Sequence, residues 1–224
     1  MSKLLIFGDS ILKGVTFSDA LGKYRLCKPD YSRLEEEGLE VTNLSKMGAT
    51  IDYCDKILKE ELSEYDDDSI VLFEYGGNDC DHPWREISEA PEGEHYAVNP
   101  HSTFESKYKS CIEYAKSMGA KVLISNLVPL DSSRYMEWIS KGLKKEEILK
   151  WLGDEAMLYR WHESYSNLIE RLARGLGATL VDLRGAFLTK HSFAELISRD
   201  GIHPTEDGHK LICDTVTEAV LAAV

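Results

Sequence analysis

Short apolar runs separated by amphipathic stretches restrict the fold of this 224-residue chain more than any other sequence feature. Runs of this length, bounded by polar residues, predict buried β-strands. Five of them lie at residues 4–7, 39–44, 70–75, 122–127 and 179–183. Between them apolar side chains recur at helical spacing, as at Ile51, Cys54 and Leu58. Alternating strands and helices predict βαβ units and a three-layer α/β/α fold around a mainly parallel, five-stranded sheet.

Four helices are predicted from this spacing. The first covers the amphipathic segment around residues 51–62, and the second runs from Ser102 to Gly119, since residues 102–105 have the pattern of a capping box. The third covers about 155–176 and the fourth runs from about residue 206 to the carboxyl terminus. Right-handed crossovers between such elements bring the carboxyl ends of all the strands to one edge of the sheet.

Two stretches interrupt this rhythm, and both directly follow predicted strands. A polar loop at about residues 80–101 contains three prolines, and an insertion at about 129–154 carries many apolar side chains. Each should therefore overhang the carboxyl edge of the sheet, where loops of this length are often functional. We predict one domain over residues 1–224, with these two segments covering that edge.

The net charge of −13 disfavours binding to nucleic acids and to anionic membrane surfaces, because both require clustered lysine and arginine. The acidic residues at 66–68 and the mixed charges at 144–147 are predicted to be solvated surface. Five widely spaced cysteines fit reduced thiols rather than a disulfide framework. The predicted first strand begins just after Met1-Ser2-Lys3, which leaves no room for a signal peptide. We therefore expect a cytoplasmic protein that acts on a small molecule.

A serine, a histidine and an aspartate form the main candidate for catalysis. Ser10 directly follows the first strand, at the sheet edge where open α/β folds bind ligands. A serine hydroxyl needs a base to become a nucleophile, and histidine oriented by a carboxylate is the usual one. The sequence Asp200-Gly201-Ile202-His203-Pro204 supplies both groups three residues apart, just before the last helix. We predict Ser10 as nucleophile, His203 as base and Asp200 as the acid that orients His203.

Acyl transfer also needs hydrogen-bond donors for the oxyanion that develops on the carbonyl. Gly48 follows the second strand and Asn78 follows the third, so a backbone NH and a side-chain amide could face the site. The backbone NH of Ser10 would be a third donor. We predict Ser10, Gly48 and Asn78 as the oxyanion hole.

Taken together, these motifs resemble those of the GDSL-type, or SGNH, hydrolase and esterase family. They are Gly8-Asp9-Ser10-Ile11, the glycine at Gly48, Gly76-Gly77-Asn78-Asp79 and Asp200-Gly201-Ile202-His203, in the family's order. The resemblance implies a flavodoxin-like fold and serine-esterase chemistry, with the same triad and oxyanion roles as above. Ile11 stands where the family motif has leucine, which should not alter the chemistry. Substrate choice does not transfer, because the two long segments lie where members of the family vary most.

Each candidate also has a structural interpretation. Ser10 alone could cap a helix, and Gly48 or Asn78 could simply form a turn. Asp200 could cap its own loop. Asp9 could be a phosphatase nucleophile, but Ile11 stands where that chemistry requires a second aspartate, so Asp9 is interpreted as a structural hydrogen-bonding residue.

The segment after Asn78 holds Cys80, Asp81 and His82. Consecutive residues rarely converge on one ion, so we predict no metal site and no cofactor. His82 and Trp84 are candidates for the wall of the substrate pocket. The tryptophans at 138, 151 and 161 could form the core of the insertion or a platform for a substrate.

These observations lead us to expect a serine esterase that removes a short acyl group, with acetyl expected, from a small or carbohydrate substrate. A lysophospholipase or an acyl-thioesterase is the alternative, which an apolar groove lined by Met136, Ile139, Leu143 and Leu149 would favour. A non-catalytic ligand-binding protein on the same fold is an alternative of another class. The sequence does not indicate the oligomeric state.

Overall fold

A computed structural model describes residues 2–62 and 69–224 of the chain. Within these residues the chain forms seven strands. They are β1 (Lys3–Gly8), β2 (Val15–Ser18), β3 (Lys23–Leu26), β4 (Glu40–Asn43), β5 (Ile70–Glu74), β6 (Lys121–Ser125) and β7 (Thr179–Val181). The acidic residues at 66–68, predicted to be solvated surface, lie outside the described part of the chain.

Helices in the same described ranges flank the strands on both faces of the sheet. They are α1 (Ser10–Lys13), α2 (Ser32–Glu36), α3 (Ile51–Leu62), α4 (Trp84–Glu89), α5 (His101–Ser117), α6 (Ser132–Ile139), α7 (Lys145–Leu152), α8 (Ala156–Leu176), α9 (Leu183–Leu188), α10 (Phe193–Leu196) and α11 (Glu206–Ala223). The four predicted helices correspond to α3, α5, α8 and α11. None of the described helices combines the length and the hydropathy needed to cross a membrane.

The central sheet has five strands in the order β4-β1-β5-β6-β7, and every neighbouring pair is parallel. Each of the five predicted apolar runs contributes one of these strands. Counted along the chain, the order is that of flavodoxin-like sheets, which reverse direction beside the first strand. The predicted three-layer α/β/α fold is therefore confirmed.

Strand residues alternate between two cores, one on each face of the sheet. Phe7 and Phe73 face the core built with α3, α5 and α8, whereas Ile6 and Leu72 face the core built with α11. All four side chains are fully buried. Because burying a large apolar side chain contributes roughly 1.5–3 kcal/mol, this double-sided packing holds the strand ends in fixed positions.

One predicted boundary is wrong, because α5 begins at His101 rather than at a Ser102 cap. Pro100 occupies the position before the helix, where the φ of proline is fixed, and its carbonyl accepts the first helical bond from Phe104 N at 2.9 Å. No side chain in the described part of the chain caps this helix. The first turn therefore includes Ser102 within the helix.

The two segments after β5 and β6, residues 80–101 and 129–154, are called here the cap segments. They contain α4, α6 and α7 and pack against each other around a third buried cluster. Its centre includes Ile87 from the first cap segment and Met136 and Ile148 from the second, all fully buried. The cap segments thus have an apolar core of their own above the carboxyl edge of the sheet.

Candidate active site

The candidate site lies at the carboxyl ends of β1 and β5, where the strand order reverses. Ser10 is the first residue of α1 and Asp9 caps that helix, its Oδ1 accepting a hydrogen bond from Ile11 N at 2.8 Å. The short helix fixes Ser10 directly after the buried strand β1. Open parallel sheets bind their ligands at this position.

The structure brings Ser10, His203 and Asp200 together. His203 Nε2 lies 2.9 Å from Ser10 Oγ, and His203 Nδ1 lies 2.6 Å from Asp200 Oδ2. Asp200 is fully buried, and its other oxygen accepts hydrogen bonds from the backbone nitrogens of Ile202 and His203 at 3.2 and 3.0 Å. These bonds hold the carboxylate and the imidazole in one rigid loop, beside a serine that is 193 positions away in sequence.

The charge on Asp200 is stabilised within this loop. Burial acts to raise the pKa of the Asp200 carboxyl, but the hydrogen bonds and charge of His203 outweigh it, so this pKa lies below its usual value. An ionised Asp200 accepts the Nδ1 proton and leaves Nε2 free to accept a proton from Ser10. The arrangement can therefore activate a serine hydroxyl as a nucleophile.

Asn78 and Gly48, the other predicted oxyanion donors, are placed differently. Asn78 lines the cavity beside Ser10, and its amide nitrogen donates to Asp9 Oδ2 at 2.9 Å and to Ala49 O at 3.0 Å. Gly48 lies in an exposed turn with a φ of +74°, and this described residue is not part of the cavity wall. The positive φ accounts for a glycine at position 48, and its neighbour Ala49 connects the turn to Asn78.

A buried carboxyl pair behind Ser10 was missed by the sequence reasoning. Asp9 and Glu74 are both almost fully buried, and the backbone nitrogen of Asp9 lies 3.2 Å from Glu74 Oε2. Burial, and then the negative charge of Asp9, raise the pKa of Glu74 well above its usual value. Burial also raises the pKa of Asp9, whose carboxylate oxygens accept hydrogen bonds from Ile11 N and from the Asn78 amide. The only sequence signal for this pair was Glu74 itself, a glutamate near the end of an apolar run.

The β2–β3 hairpin, residues 15–26, covers the other side of the triad and was also missed. The Tyr24 ring packs edge-on against His203 with centroids 5.0 Å apart, and its hydroxyl faces the Asp200 carboxylate. Burial and that negative charge raise the pKa of Tyr24. Phe17 packs against Trp138 of α6 at 4.8 Å. Trp138, for which core and platform were both considered, therefore joins the hairpin to the second cap segment.

Polar contacts join the hairpin to the loop that carries Asp200 and His203 and to α11, which follows that loop. Thr16 Oγ1 lies 3.1 Å from Ser198 Oγ, and His209 Nε2 lies 2.9 Å from the Val15 carbonyl. Arg25 forms an ion pair with Glu206 at the start of α11. The hairpin thus contacts the catalytic loop through Thr16, and both of its ends contact α11, the helix that follows this loop.

A cavity of about 360 Å³ opens beside Ser10 and His203 between the cap segments and α8. His82 and Trp84, both predicted at the pocket wall, line it. The His82 ring lies 4.9 Å from the Trp151 ring and 5.3 Å from the Trp161 ring. Burial, and then the nearby charge of His95, lower the pKa of His82 to about 4. The cavity wall is thus aromatic and uncharged at this point.

The residues before His82 have partners of their own. Asp81 Oδ1 accepts hydrogen bonds from Trp84 Nε1 at 2.7 Å and from the Tyr135 hydroxyl at 2.8 Å, which joins the two cap segments. Cys80 Sγ lies 3.2 Å from the Gly77 carbonyl. Over residues 2–62 and 69–224, no group of three or more histidine, cysteine, aspartate or glutamate side chains could hold a metal ion.

Comparison with known proteins gives one family and many similar folds. The model of the GDSL-like lipase/acylhydrolase family matches residues 6–211. A lipase/acylhydrolase from Enterococcus faecalis superposes with a TM-score of 0.69 at 19% identity, covering 99% of this chain and 96% of that one. An acetyl xylan esterase superposes with a TM-score of 0.64 at 20% identity, covering 97% and 99%. An alpha/beta hydrolase from the metagenome of Lake Arreo, Spain, gives 0.66 at 21% identity, covering 99% and 96%. No curated protein sequence matches the chain.

Proposed function

Because the chain belongs to the GDSL-like lipase/acylhydrolase family, we propose that it is a serine esterase. In this proposal it hydrolyses a short-chain ester, with acetyl as the acyl group, of a small or carbohydrate substrate. The contact that carries the proposal is the 2.9 Å approach of His203 Nε2 to Ser10 Oγ, with Asp200 behind the imidazole. Such an arrangement removes the proton of a serine as it attacks a carbonyl.

The proposed reaction proceeds through an acyl-enzyme. Ser10 Oγ attacks the ester carbonyl while His203 takes its proton, and the backbone NH of Ser10 and the Asn78 amide stabilise the oxyanion. The Gly48 NH is proposed as a third donor, which requires its exposed turn to move toward the cavity. His203 then gives the proton to the leaving alcohol. Water, deprotonated by His203, releases the acid and restores Ser10. An oxyanion would have to draw one Asn78 N–H away from Asp9 or Ala49, the present acceptors.

Labelling with a fluorophosphonate probe, followed by peptide mapping, tests this proposal. We expect covalent modification of Ser10 in the folded wild type and none in Ser10→Ala. Ser45→Ala is the matched control, because Ser45 is a buried serine at the same sheet edge whose hydroxyl has no partner among the described residues. Folded wild-type protein that leaves Ser10 unlabelled would favour a non-catalytic ligand-binding protein.

A lysophospholipase or acyl-thioesterase is the second candidate, and the size of the cavity favours it. About 360 Å³ lined by Leu127, Leu152 and Leu158 could hold a longer acyl chain. The groove considered above is not formed, because Met136 is fully buried in the core of the cap segments. Comparing the kcat/KM values for p-nitrophenyl acetate and octanoate separates the two functions, since a short-chain esterase prefers the acetate.

The location and the partners are part of the same proposal. A cytoplasmic enzyme acting on a free small molecule, rather than on nucleic acid or a membrane, is supported by the net charge of −13. All five cysteines are unpaired, which fits a reducing compartment. One structural neighbour is an acetyl xylan esterase, so acetyl xylan is one carbohydrate ester to include in a substrate screen.

A further inference from the structure

His162 on α8 is a buried imidazole for which no hydrogen bond is found among the described residues. It lines the cavity beside Ser10 and is 8% exposed. Its Nδ1 atom is inaccessible and makes no hydrogen bond within the described residues. Because Nδ1 is inaccessible, a ligand in the cavity can reach this ring only at Nε2, for which no hydrogen bond is found among the described residues. Polar groups this deeply buried are nearly always hydrogen-bonded, so a nitrogen left without a partner on a cavity wall points to a ligand group.

The surroundings of His162 keep it uncharged. Burial, and then the positive charge of Arg184, lower its pKa to about 3. Arg184 lies behind the cavity wall, where its Nη1 donates to the Leu127 carbonyl at 3.4 Å and its guanidinium packs on the Tyr159 ring. A neutral imidazole offers one donor and one acceptor. A hydroxyl group suits it in either tautomer, because a hydroxyl can both donate and accept.

The rest of the cavity wall suits the body of a ring. Trp84, Trp151 and Trp161 line the same cavity, together with the apolar side chains of Leu127 and Leu158. An acetyl group is far smaller than about 360 Å³. If the acyl group is acetyl, most of this space is therefore left for the alcohol part of the ester.

We propose that His162 is the polar end of a subsite for the alcohol part of the substrate, where it hydrogen-bonds a hydroxyl group on a ring-shaped alcohol. This inference rests on the proposed short-chain esterase activity. The aromatic walls hold the apolar faces of the ring, and His162 selects alcohols with a second hydroxyl away from the ester. His162 is thus a specificity residue that takes no part in the acyl transfer.

Two acetates that differ by one hydroxyl test this subsite: cyclohexyl acetate and trans-4-hydroxycyclohexyl acetate. Their leaving alcohols are chemically alike, so a difference in kcat/KM reports binding of the second hydroxyl. One hydrogen bond to a neutral partner corresponds to roughly tenfold, which is the wild-type preference we expect for the hydroxylated ester. In His162→Phe the ratio of the two kcat/KM values should fall to about one, whatever the absolute rates.

His101→Phe is the matched control, because His101 has its hydrogen-bond partner in Ser164 and does not line the cavity. It should keep the wild-type preference. His162→Gln, which retains a donor and an acceptor, should restore part of the preference and also serves if the phenylalanine variant does not fold. A His162→Phe enzyme that still favours the hydroxylated acetate would overturn the subsite.

The proposed subsite can also be tested separately from the esterase proposal. If the wild type hydrolyses neither acetate and Ser10 resists the fluorophosphonate, the proposed function is wrong. The subsite is then tested by saturation-transfer NMR with trans-1,4-cyclohexanediol and cyclohexanol. Stronger binding of the diol to the wild type than to His162→Phe supports it, and equal binding to both proteins refutes it.

Discussion

Replacing Gly201 by alanine is expected to displace the loop that carries Asp200 and His203. Gly201 has a φ of +82°, and a Cβ atom there would lie 2.4 Å from the backbone nitrogen of Tyr135 and 2.7 Å from the carbonyl oxygen of Asp131. Both atoms belong to the start of α6, where Asp131 N also donates to the Gly201 carbonyl at 2.8 Å. Because backbone surrounds the new atom, the loop itself has to move.

The size of this effect follows from the contact distances. The loop must shift by about 1 Å, since 2.4 Å has to lengthen to the 3.4 Å of an ordinary contact. That shift would break the 2.9 Å hydrogen bond that Ser10 Oγ donates to His203 Nε2, and a misplacement of about 1 Å costs on the order of 100-fold in rate. Strain in the left-handed region costs roughly 1–2 kcal/mol and overpacking roughly 1–3 kcal/mol, so the free energy of unfolding should fall by about 2–5 kcal/mol.

Gly38→Ala is the matched control for Gly201→Ala. Gly38 has a φ of +85°, but its added Cβ meets nothing within 4 Å, and it lies before β4 at the opposite edge of the sheet. This variant should show only the roughly 1–2 kcal/mol of backbone strain and keep its kcat. Urea denaturation gives the free energies of unfolding, and p-nitrophenyl acetate gives kcat. A Gly201→Ala enzyme with wild-type kcat would refute the argument that this loop position controls the triad.

Three further perturbations test other parts of the site. Asn78→Ala should lower kcat by about 100-fold or more through loss of an oxyanion donor. The control is Asn126→Ala, which removes a buried amide that binds Glu170 and Asp182 and should lower only stability. An Asn78→Ala enzyme with near-wild-type kcat would remove Asn78 from the oxyanion hole. Tyr24→Ala should lower kcat by roughly 100-fold by freeing the catalytic imidazole, and Tyr24→Phe by about tenfold or less; full activity in the alanine variant would show that the hairpin does not position the triad. Burial raises the pKa of Asp79 to about 7, so its contribution to stability is present at low pH and lost as pH rises through about 7. The difference in unfolding free energy between wild type and Asp79→Asn should therefore shrink from pH 5 to pH 8, and a constant difference would contradict the shifted pKa.

The sheet could be predicted from the sequence because its signals are local. Each of the five strands is a short apolar run bounded by polar residues, and buried parallel strands leave this signature whatever else the chain does. The nucleophile candidate directly follows the first such run, and the base and acid candidates lie just before the last helix, so the fold itself indicated that they meet at the carboxyl edge of the sheet. Pro100 shows the limit of local signals, since the capping-box pattern at Ser102 had no effect once proline fixed the start of α5.

The β2–β3 hairpin could not be predicted, because what holds it is distant in sequence. Thr16 bonds Ser198 across 182 positions, and Val15 bonds His209 across 194. Residues 15–18 and 23–26 alternate apolar and polar side chains, but over only four positions each. The four residues between them are not the tight two-residue turn that is the strongest hairpin signal. Glu74 was missed for a related reason. In the sequence, a buried glutamate cannot be distinguished from any other strand residue. The carboxyl pair is recognisable only once the fold places Asp9 beside Glu74.

The catalytic loop, which carries Asp200 and His203, lies between two elements that are far from each other in sequence, the β2–β3 hairpin and α6. On one side, the hairpin places Tyr24 against His203, and on the other, Gly201 packs against the first turn of α6. The hairpin and α6 also contact each other directly through Phe17 and Trp138. A substitution in the second cap segment can therefore displace the triad residues through the hairpin as well as through Gly201. Substitutions that reshape the cavity through α6 should alter kcat along with KM, whereas those in the wall formed by α8, away from this contact, should change substrate preference alone.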